Sequence, residues 1–561
     1  MEFREEKLKN AKKIFTIFAS IIGICSLLLF IPQIRELIIC FGEKLLGRPL
    51  THEVWHNNFI KWEVVFLLLL LSVILFLFKR REIESFVAKE TFLNILSISI
   101  VIISSAVFIM IACQSNDVWL DETFSLGLAQ HSVKDLISIT AQDVHPPLYY
   151  LILKIAMLLF PGSVTAAKIV SAIPIILILC TSHLFFSKEF SCKYSILFNL
   201  LLLSSYSVRL YAVEIRMYSW CMFFCAACCI CSYYIVKKGN LKYFILYVLF
   251  AELGAYCHYW IAFCLAINFM LISALYSVKN KKSVQNVFIA AGLGIVLYLP
   301  WAGIVIKQVS AVSKSYWIEP ITLKTFFSYF TSMIPMNGIM KAVSILLLLV
   351  CLKNCVYGIR RKNLNALFYV ICLSTPVLLI LSATAISLIM RPVFLTRYVF
   401  PISIFTVFFI TFTCTEYKLK KGAFIFLAIV TLCCSGINIK NAYQSEKKLG
   451  QEKEAFENLM QENLFENTVF IFGENVDGQI PRVLAYLYPK NRIYNFEIGE
   501  MWSSAILYNR KNFIKTLDDE SNICYVINLD DEPDNDFKDY PYYVANIGWF
   551  YKPLKFYFVE K

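Results

Sequence analysis

The sequence predicts an all-α polytopic membrane protein of about 13 spanning helices, with one large external loop and a small C-terminal α/β domain outside the bilayer. Three observations predict it. Apolar runs of about 20 residues recur from Ile14 to Ile437, each long enough or nearly long enough to cross a bilayer. The composition is 58% hydrophobic and only 17% charged, with a mean hydropathy of +0.63, a balance that a soluble chain of 561 residues does not carry. The basic residues lie in alternate connecting loops.

The expected spans are 14–34, 60–78, 91–113, 165–187, 193–208, 217–236, 242–257, 260–277, 286–305, 340–357, 364–390, 398–415 and 422–437. The first run lacks a small-x-small cleavage site and is longer than a signal core, so it is expected to remain as a helix. Lys and Arg fill the amino terminus (Arg4, Lys7, Lys9, Lys12, Lys13) and residues 79–90, then recur at Lys188, Lys193, Lys237, Lys238, Lys279–Lys282, Arg360–Lys362 and Lys418–Lys421. Under the positive-inside rule this pattern places the amino terminus in the cytoplasm and the C-terminal region outside a plasma membrane. It requires 148–160, a short run stopped by Pro161-Gly162, to be re-entrant or interfacial within an external loop spanning 114–164. A second external loop is expected at 306–339, with Lys307, Gln308, Lys314, Tyr316, Trp317 and Glu319. Three parts follow: a two-helix extension (1–90), a membrane core (91–437) and an extracytoplasmic α/β domain (438–561).

Formal net charge is +13, yet from Asn438 onward 14 Lys/Arg face 20 Asp/Glu, so the excess positive charge belongs to short membrane loops. It reports topology, and nucleic acid is not an expected partner. The 19 cysteines fall mostly inside apolar runs. Helical spacing brings Cys221, Cys225 and Cys228 onto one face, but buried apolar thiols explain them better than a metal does. Beyond Ile437, residues 450–463 read as a helix, N-T-V-F-I-F-G as a strand and Gln479–Tyr488 as a helix. N-R-I-Y-N-F, N-I-C-Y-V-I-N-L and parts of Tyr542–Val559 read as strands, with no phosphate-binding Gly-rich fingerprint among them.

Within a chain this apolar, ionisable groups at a helix edge need a partner or a task. Asp121 and Glu122 open the first external loop, and Asp143, His145 and Pro146-Pro147 close it. Glu214, Arg216 and Tyr218 lie in the next external turn, followed by His258-Tyr259-Trp260, Trp301 and Lys307, Arg391, and Arg397-Tyr398. The topology gathers all of them on one face. Carboxylates can take a proton from an attacking hydroxyl, and Arg can hold a phosphate where negative charge develops, so the set suits transfer to a hydroxyl from a phosphate-bearing donor. The bland alternatives are a helix cap for Asp121, first-turn dipole charge for Glu122, a turn brace for Asp143 and His145, and snorkelling anchors for Arg216 and Arg397. His258 could be an interfacial residue, and Trp301, Tyr316 and Trp317 belt aromatics.

In order along the chain stand D-E, H-P-P-L-Y-Y, E-I-R-M-Y-S, A-Y-C-H-Y-W, L-P-W and T-R-Y-V-F-P. This series resembles the membrane-embedded C-type (GT-C) glycosyltransferases related to protein O-mannosyltransferases and to the lipid A aminoarabinose transferase, over roughly residues 90–440. The resemblance implies a GT-C-like core and a sugar donor on a polyprenyl phosphate. It implies transfer with inversion to a glycan, lipid or protein acceptor, with Asp121 as base and Glu122 as the adjacent acid. Arg397 would contact the donor phosphate or pyrophosphate, supported by Arg216, His258 and Tyr398; Asp143, His145, Glu214 and Tyr218 would contact substrate. Some relatives hold a divalent metal near the acidic residues and others do not, and this chain could do either. The two leading helices and the tail domain depart from the family pattern. A glycan ligase using a lipid-pyrophosphate donor is a nearby alternative. A lipid or solute transporter is a distant one, disfavoured because the charges gather at one face instead of at mid-helix.

Overall fold

An apolar segment in a bilayer must satisfy its backbone internally, and this chain does so almost entirely as helices. The computed structural model describes residues 90–559 apart from 280–283, 315–317, 465–467, 474, 477–478, 489, 496–506, 510–521, 535–536 and 547–552. The expected spans 14–34 and 60–78, and Tyr316 and Trp317, lie outside the described residues.

The first described span is α1 (Glu90–Ala112), followed by three short helices, α2 (Leu120–Gln130), α3 (Val133–Thr140) and α4 (Leu148–Leu159). Then come α5 (Val164–Glu189), α6 (Cys192–Leu203), α7 (Tyr206–Tyr211), α8 (Tyr218–Lys238), α9 (Leu241–Ala255), α10 (Tyr259–Lys279) and α11 (Gln285–Lys314). A short α12 (Leu323–Ser332) precedes α13 (Lys341–Arg360) and α14 (Leu364–Ile389). A 3₁₀ turn at Thr396–Tyr398 runs into α15 (Val399–Ile402) and α16 (Ile404–Glu416), and α17 (Lys421–Asn463) completes the bundle. Among the described residues, nine helical stretches are long and apolar enough to cross a membrane, and the chain is a multi-pass membrane protein.

Differences from the sequence reading have physical causes. The segments 193–208 and 242–257 are helices of 12 and 15 residues, shorter than the other spans. The first is broken at Ser204-Ser205, where the Ser204 hydroxyl donates back to the Leu201 carbonyl (2.8 Å). At 12 residues, α4 is about 18 Å long, well under a bilayer's hydrocarbon thickness. Helix α11 continues to Lys314, so Lys307 and Gln308 are helical and not in a loop. The pieces expected at 422–437 and 450–463 form one helix of 43 residues, about 65 Å long, with no proline inside it.

Polar side chains lock the bundle from within. Asn268 donates to Thr375 (2.9 Å) and accepts from Ser232 and Tyr247 (both 3.1 Å), joining α8, α9, α10 and α14. Cys221, Cys225 and Cys228 are buried free thiols, packed as small apolar residues.

Helix α17 leads into a mixed sheet of β1 (Val469–Phe472), β2 (Arg492–Asn495), β3 (Leu507–Asn509), β4 (Ile523–Asn528), β5 (Tyr542–Ala545) and β6 (Leu554–Val559). The strand order is β3-β2-β1-β4-β6-β5; the first four are parallel, and β6 is antiparallel to both β4 and β5. One face, with Phe470, Phe472, Val526 and Phe556, packs on Phe456 and Met460 of α17 and on Val483 and Leu484 of α18 (Gln479–Leu487). Only β3 among the strands escaped the sequence reading, because three residues are too few for an alternating pattern to emerge.

The bundle packs closely at Gly358, where an added Cβ would lie 2.3 Å from the Tyr417 hydroxyl and 2.8 Å from the Ala366 methyl. Gly358→Val is expected to destabilise the chain by roughly 1–3 kcal/mol through overpacking. Gly292→Ala, with open space around its Cβ, should leave the thermal midpoint in detergent unchanged or slightly raised.

Candidate active site

Helix α2 places its two acids differently. Glu122 turns back into the protein, where Oε2 accepts from the Trp119 N–H (3.2 Å) and Oε1 from the Ile215 N–H (2.9 Å). The first bond caps α2, and the second ties it to the turn before α8. Asp121 faces the cations. Its Oδ2 accepts from Arg397 Nη1 at 2.8 Å and lies 3.8 Å from Arg216 Nε. Arg216, only 3% exposed, also donates through Nη1 to the Asp121 carbonyl (3.1 Å) and to the Ser125 hydroxyl (3.3 Å). Arg397 lies beside the rings of Trp119 and Tyr398, at 5.9 and 5.8 Å.

The remaining predicted residues close on this ion triad. The Pro146-Pro147 pair starts α4, whose Leu148 N–H bonds the Tyr256 carbonyl (3.0 Å) and brings His145 to His258, with ring centroids 5.2 Å apart. Tyr398 packs on His258 at 4.6 Å, and Tyr218 stands 6.2 Å from the same ring. His258 Nδ1 accepts the Trp260 N–H (3.2 Å), which leaves a neutral ring's proton on Nε2. Both histidines line a cavity of about 410 Å³ whose other walls, including Phe263, Val309, Ile386 and Met390, are mainly apolar. Ile389, next to this wall, is 83% exposed on the bundle surface.

Burial sets the protonation states. It pushes Glu214 up to about 8, helped by the carboxylates of Glu122 and Asp121, and Glu122 up to about 7. Asp143 is raised for the same reason. Burial and then Arg216 push His258 down to about 3 and His145 well below its usual range. Both histidines are thus held toward the neutral form, and two guanidinium groups face the carboxylate of Asp121 beside acids whose charge burial opposes.

Glu214 Oε2, Asp143 Oδ2, His145 Nδ1, His258 Nε2 and the hydroxyls of Tyr150 and Tyr218 are buried without a hydrogen-bond partner. Buried polar atoms are ordinarily paired, so six such atoms around one pair of arginines mark a binding site. The ten residues given catalytic, phosphate-binding or substrate-binding roles in the sequence analysis meet in or beside this cluster. Tyr150, Ser125 and Trp119 were not assigned a role there. Ser125 was legible as the residue four positions after Asp121, on the same helix face, and Tyr150 as the last residue of H-P-P-L-Y-Y. Among the described residues, no group of three or more His, Cys, Asp or Glu side chains is placed to hold a metal ion.

No family model and no curated protein matches this sequence. Solved structures do. ArnT from Cupriavidus metallidurans in the apo state superposes with a TM-score of 0.56 at 10% identity, covering 82% of this chain and 97% of that one. The same protein bound to undecaprenyl phosphate gives 0.54 at 9% identity, with the same coverage. The chain thus shares the fold of ArnT, in line with the resemblance drawn from the ordered motifs.

Two outcomes follow from the buried acids. Glu122→Ala leaves two buried N–H groups without acceptors and should cost roughly 1–3 kcal/mol for each, read as a lowered thermal midpoint, with Glu122→Gln intermediate. Glu214 keeps its proton in the folded chain up to about 8, whereas its ordinary value is 4.5, so its contribution to stability is full below about 4.5 and is lost as pH rises toward 8. Glu214→Gln should make the fall in thermal midpoint across that window shallower than in wild type, with a residual slope from Glu122.

Proposed function

We propose that this chain is a glycosyltransferase that moves a sugar from a polyprenyl-phosphate carrier to an acceptor hydroxyl on the extracytoplasmic face of the plasma membrane. The observation that carries the reading is the meeting of Asp121, Arg216 and Arg397 with two neutral histidines at the end of an apolar cavity. The shared fold with a protein solved bound to undecaprenyl phosphate supports a polyprenyl donor. The alternate basic loops support the external placement of the site, with the amino terminus cytoplasmic.

In this reading the polyprenyl chain enters from the bilayer beside Ile389 and occupies the apolar cavity. Its phosphate competes with Asp121 for Arg397, and His258 Nε2–H donates to the same oxygens. Released from Arg397, the Asp121 carboxylate takes the proton of the acceptor hydroxyl. That oxygen attacks the anomeric carbon from the side opposite the phosphate, the bond from that carbon to the phosphate oxygen breaks, and configuration inverts. The lipid phosphate leaves with the bonding pair, stabilised by Arg397 and Arg216. Tyr218, Asp143, Glu214 and His145 offer hydrogen bonds to sugar and acceptor, while Glu122 keeps α2 in register.

With the purified chain in vesicles and a labelled polyprenyl-phosphate sugar, Asp121→Asn should lower transfer roughly 10²–10⁴-fold while donor binding persists. Arg397→Ala should weaken donor binding at least about tenfold, as expected for losing a charge-assisted contact to phosphate. Wild-type rates in Asp121→Asn contradict the mechanism.

A further inference from the structure

Residues 113–119, which lead into Asp121, form no regular element, so their path must be fixed from outside for the carboxylate to stay on Arg397. The surrounding chain supplies that support. The backbone of this stretch lies directly on α17 at Gly450, where an added Cβ would fall 2.3 Å from the Gln114 carbonyl oxygen. One turn earlier, Glu446 of α17 pairs with Lys168 of α5 at 2.7 Å, with Lys168 only 3% exposed. The buried Asp117 carboxyl lies within electrostatic reach of Lys453 on α17 and Lys168 on α5, which attract it, and of Glu446 on α17, which repels it. Finally, Leu120, the residue before Asp121, packs into the apolar core formed by α17, α18 and the sheet, and α18 rests on α2. Thr165 adds a bond to Asn116 from α5 at 3.0 Å.

We infer that the outer part of α17 together with α18 is the mould that positions Asp121, and that Gly450 and Leu120 are positioning residues for the site. The C-terminal domain is thus a working part of the catalytic centre and not an independent module tethered to it. Gly450 carries the register. Only a residue without a side chain lets α17 approach the Gln114 carbonyl, so any larger residue displaces the loop and, through it, Asp121. The kinetic part of this inference rests on the glycosyl-transfer reading, and the positional part does not.

The test uses the full chain and three variants: Gly450→Ala, Leu120→Ala and Gly436→Ala. Alanine is the better helix former, so a loss at Gly450 reports the clash and not propensity. Gly436 lies on the same helix with open space around it and serves as the control. Leu120→Ala removes the contact without adding bulk. Hydrogen exchange across 113–125 is expected to rise at least about tenfold in Gly450→Ala and Leu120→Ala, with helices α8 and α10 unchanged and Gly436→Ala like wild type. Turnover should fall roughly 10- to 100-fold in the same two variants with donor KM within about threefold, as a misplaced base predicts. Exchange across 113–125 equal to wild type in both variants overturns the inference. So does faster exchange with unchanged turnover. A wild-type chain that transfers no sugar overturns the glycosyl-transfer reading instead, and exchange then decides the positional claim alone.

Discussion

Two guanidinium groups share the carboxylate of Asp121, and much of the surrounding architecture positions those three side chains. Arg216 is almost wholly desolvated, a state tolerated only with compensating charge and hydrogen bonds. Asp121 supplies part of both, at 3.8 Å from Arg216 and 2.8 Å from Arg397. Burial raises the neighbouring Glu122, Glu214 and Asp143 and so works against their negative charge. In the proposed reaction, a phosphate beside the arginines would displace Asp121 from Arg397, so one binding event would supply both the leaving-group contact and the free base.

Placing those three side chains takes four separate parts of the fold. Glu122 fastens α2 to the turn holding Glu214 and Arg216, which fixes Asp121 relative to Arg216. The double proline that starts α4 sets His145 against His258, and the 3₁₀ turn at Thr396–Tyr398 presents Arg397 and Tyr398 together. The long α17 reaches from the bundle to the sheet and meets the approach to Asp121 on the way. The apolar cavity next to the histidines is contiguous with the polar site.

Much of this was legible in the sequence, and the limits are physical. Hydropathy and loop charge located the long helices, because burial in lipid demands continuous apolar runs. They could not show that 193–208 stops at Ser204-Ser205 or that α17 runs unbroken for 43 residues, since helix continuity depends on packing along its length. Motif order named Asp121, Arg216, His258 and Arg397, yet periodicity gave no hint that Glu122 spends both oxygens on backbone N–H groups. Adjacent residues on a helix point about 100° apart, so D-E put one acid in the site and the other in its wall. The contact between Gly450 and Gln114 joins positions more than 300 residues apart and left no local signature.

Mass spectrometry of the lipid that co-purifies with the wild-type chain and with Arg397→Ala bears most directly on the central claim, that this site holds a polyprenyl phosphate. A polyprenyl phosphate, with or without its sugar, is expected from the wild type and should be strongly depleted from Arg397→Ala. Recovery of no such lipid, or equal recovery from both proteins, contradicts the claim.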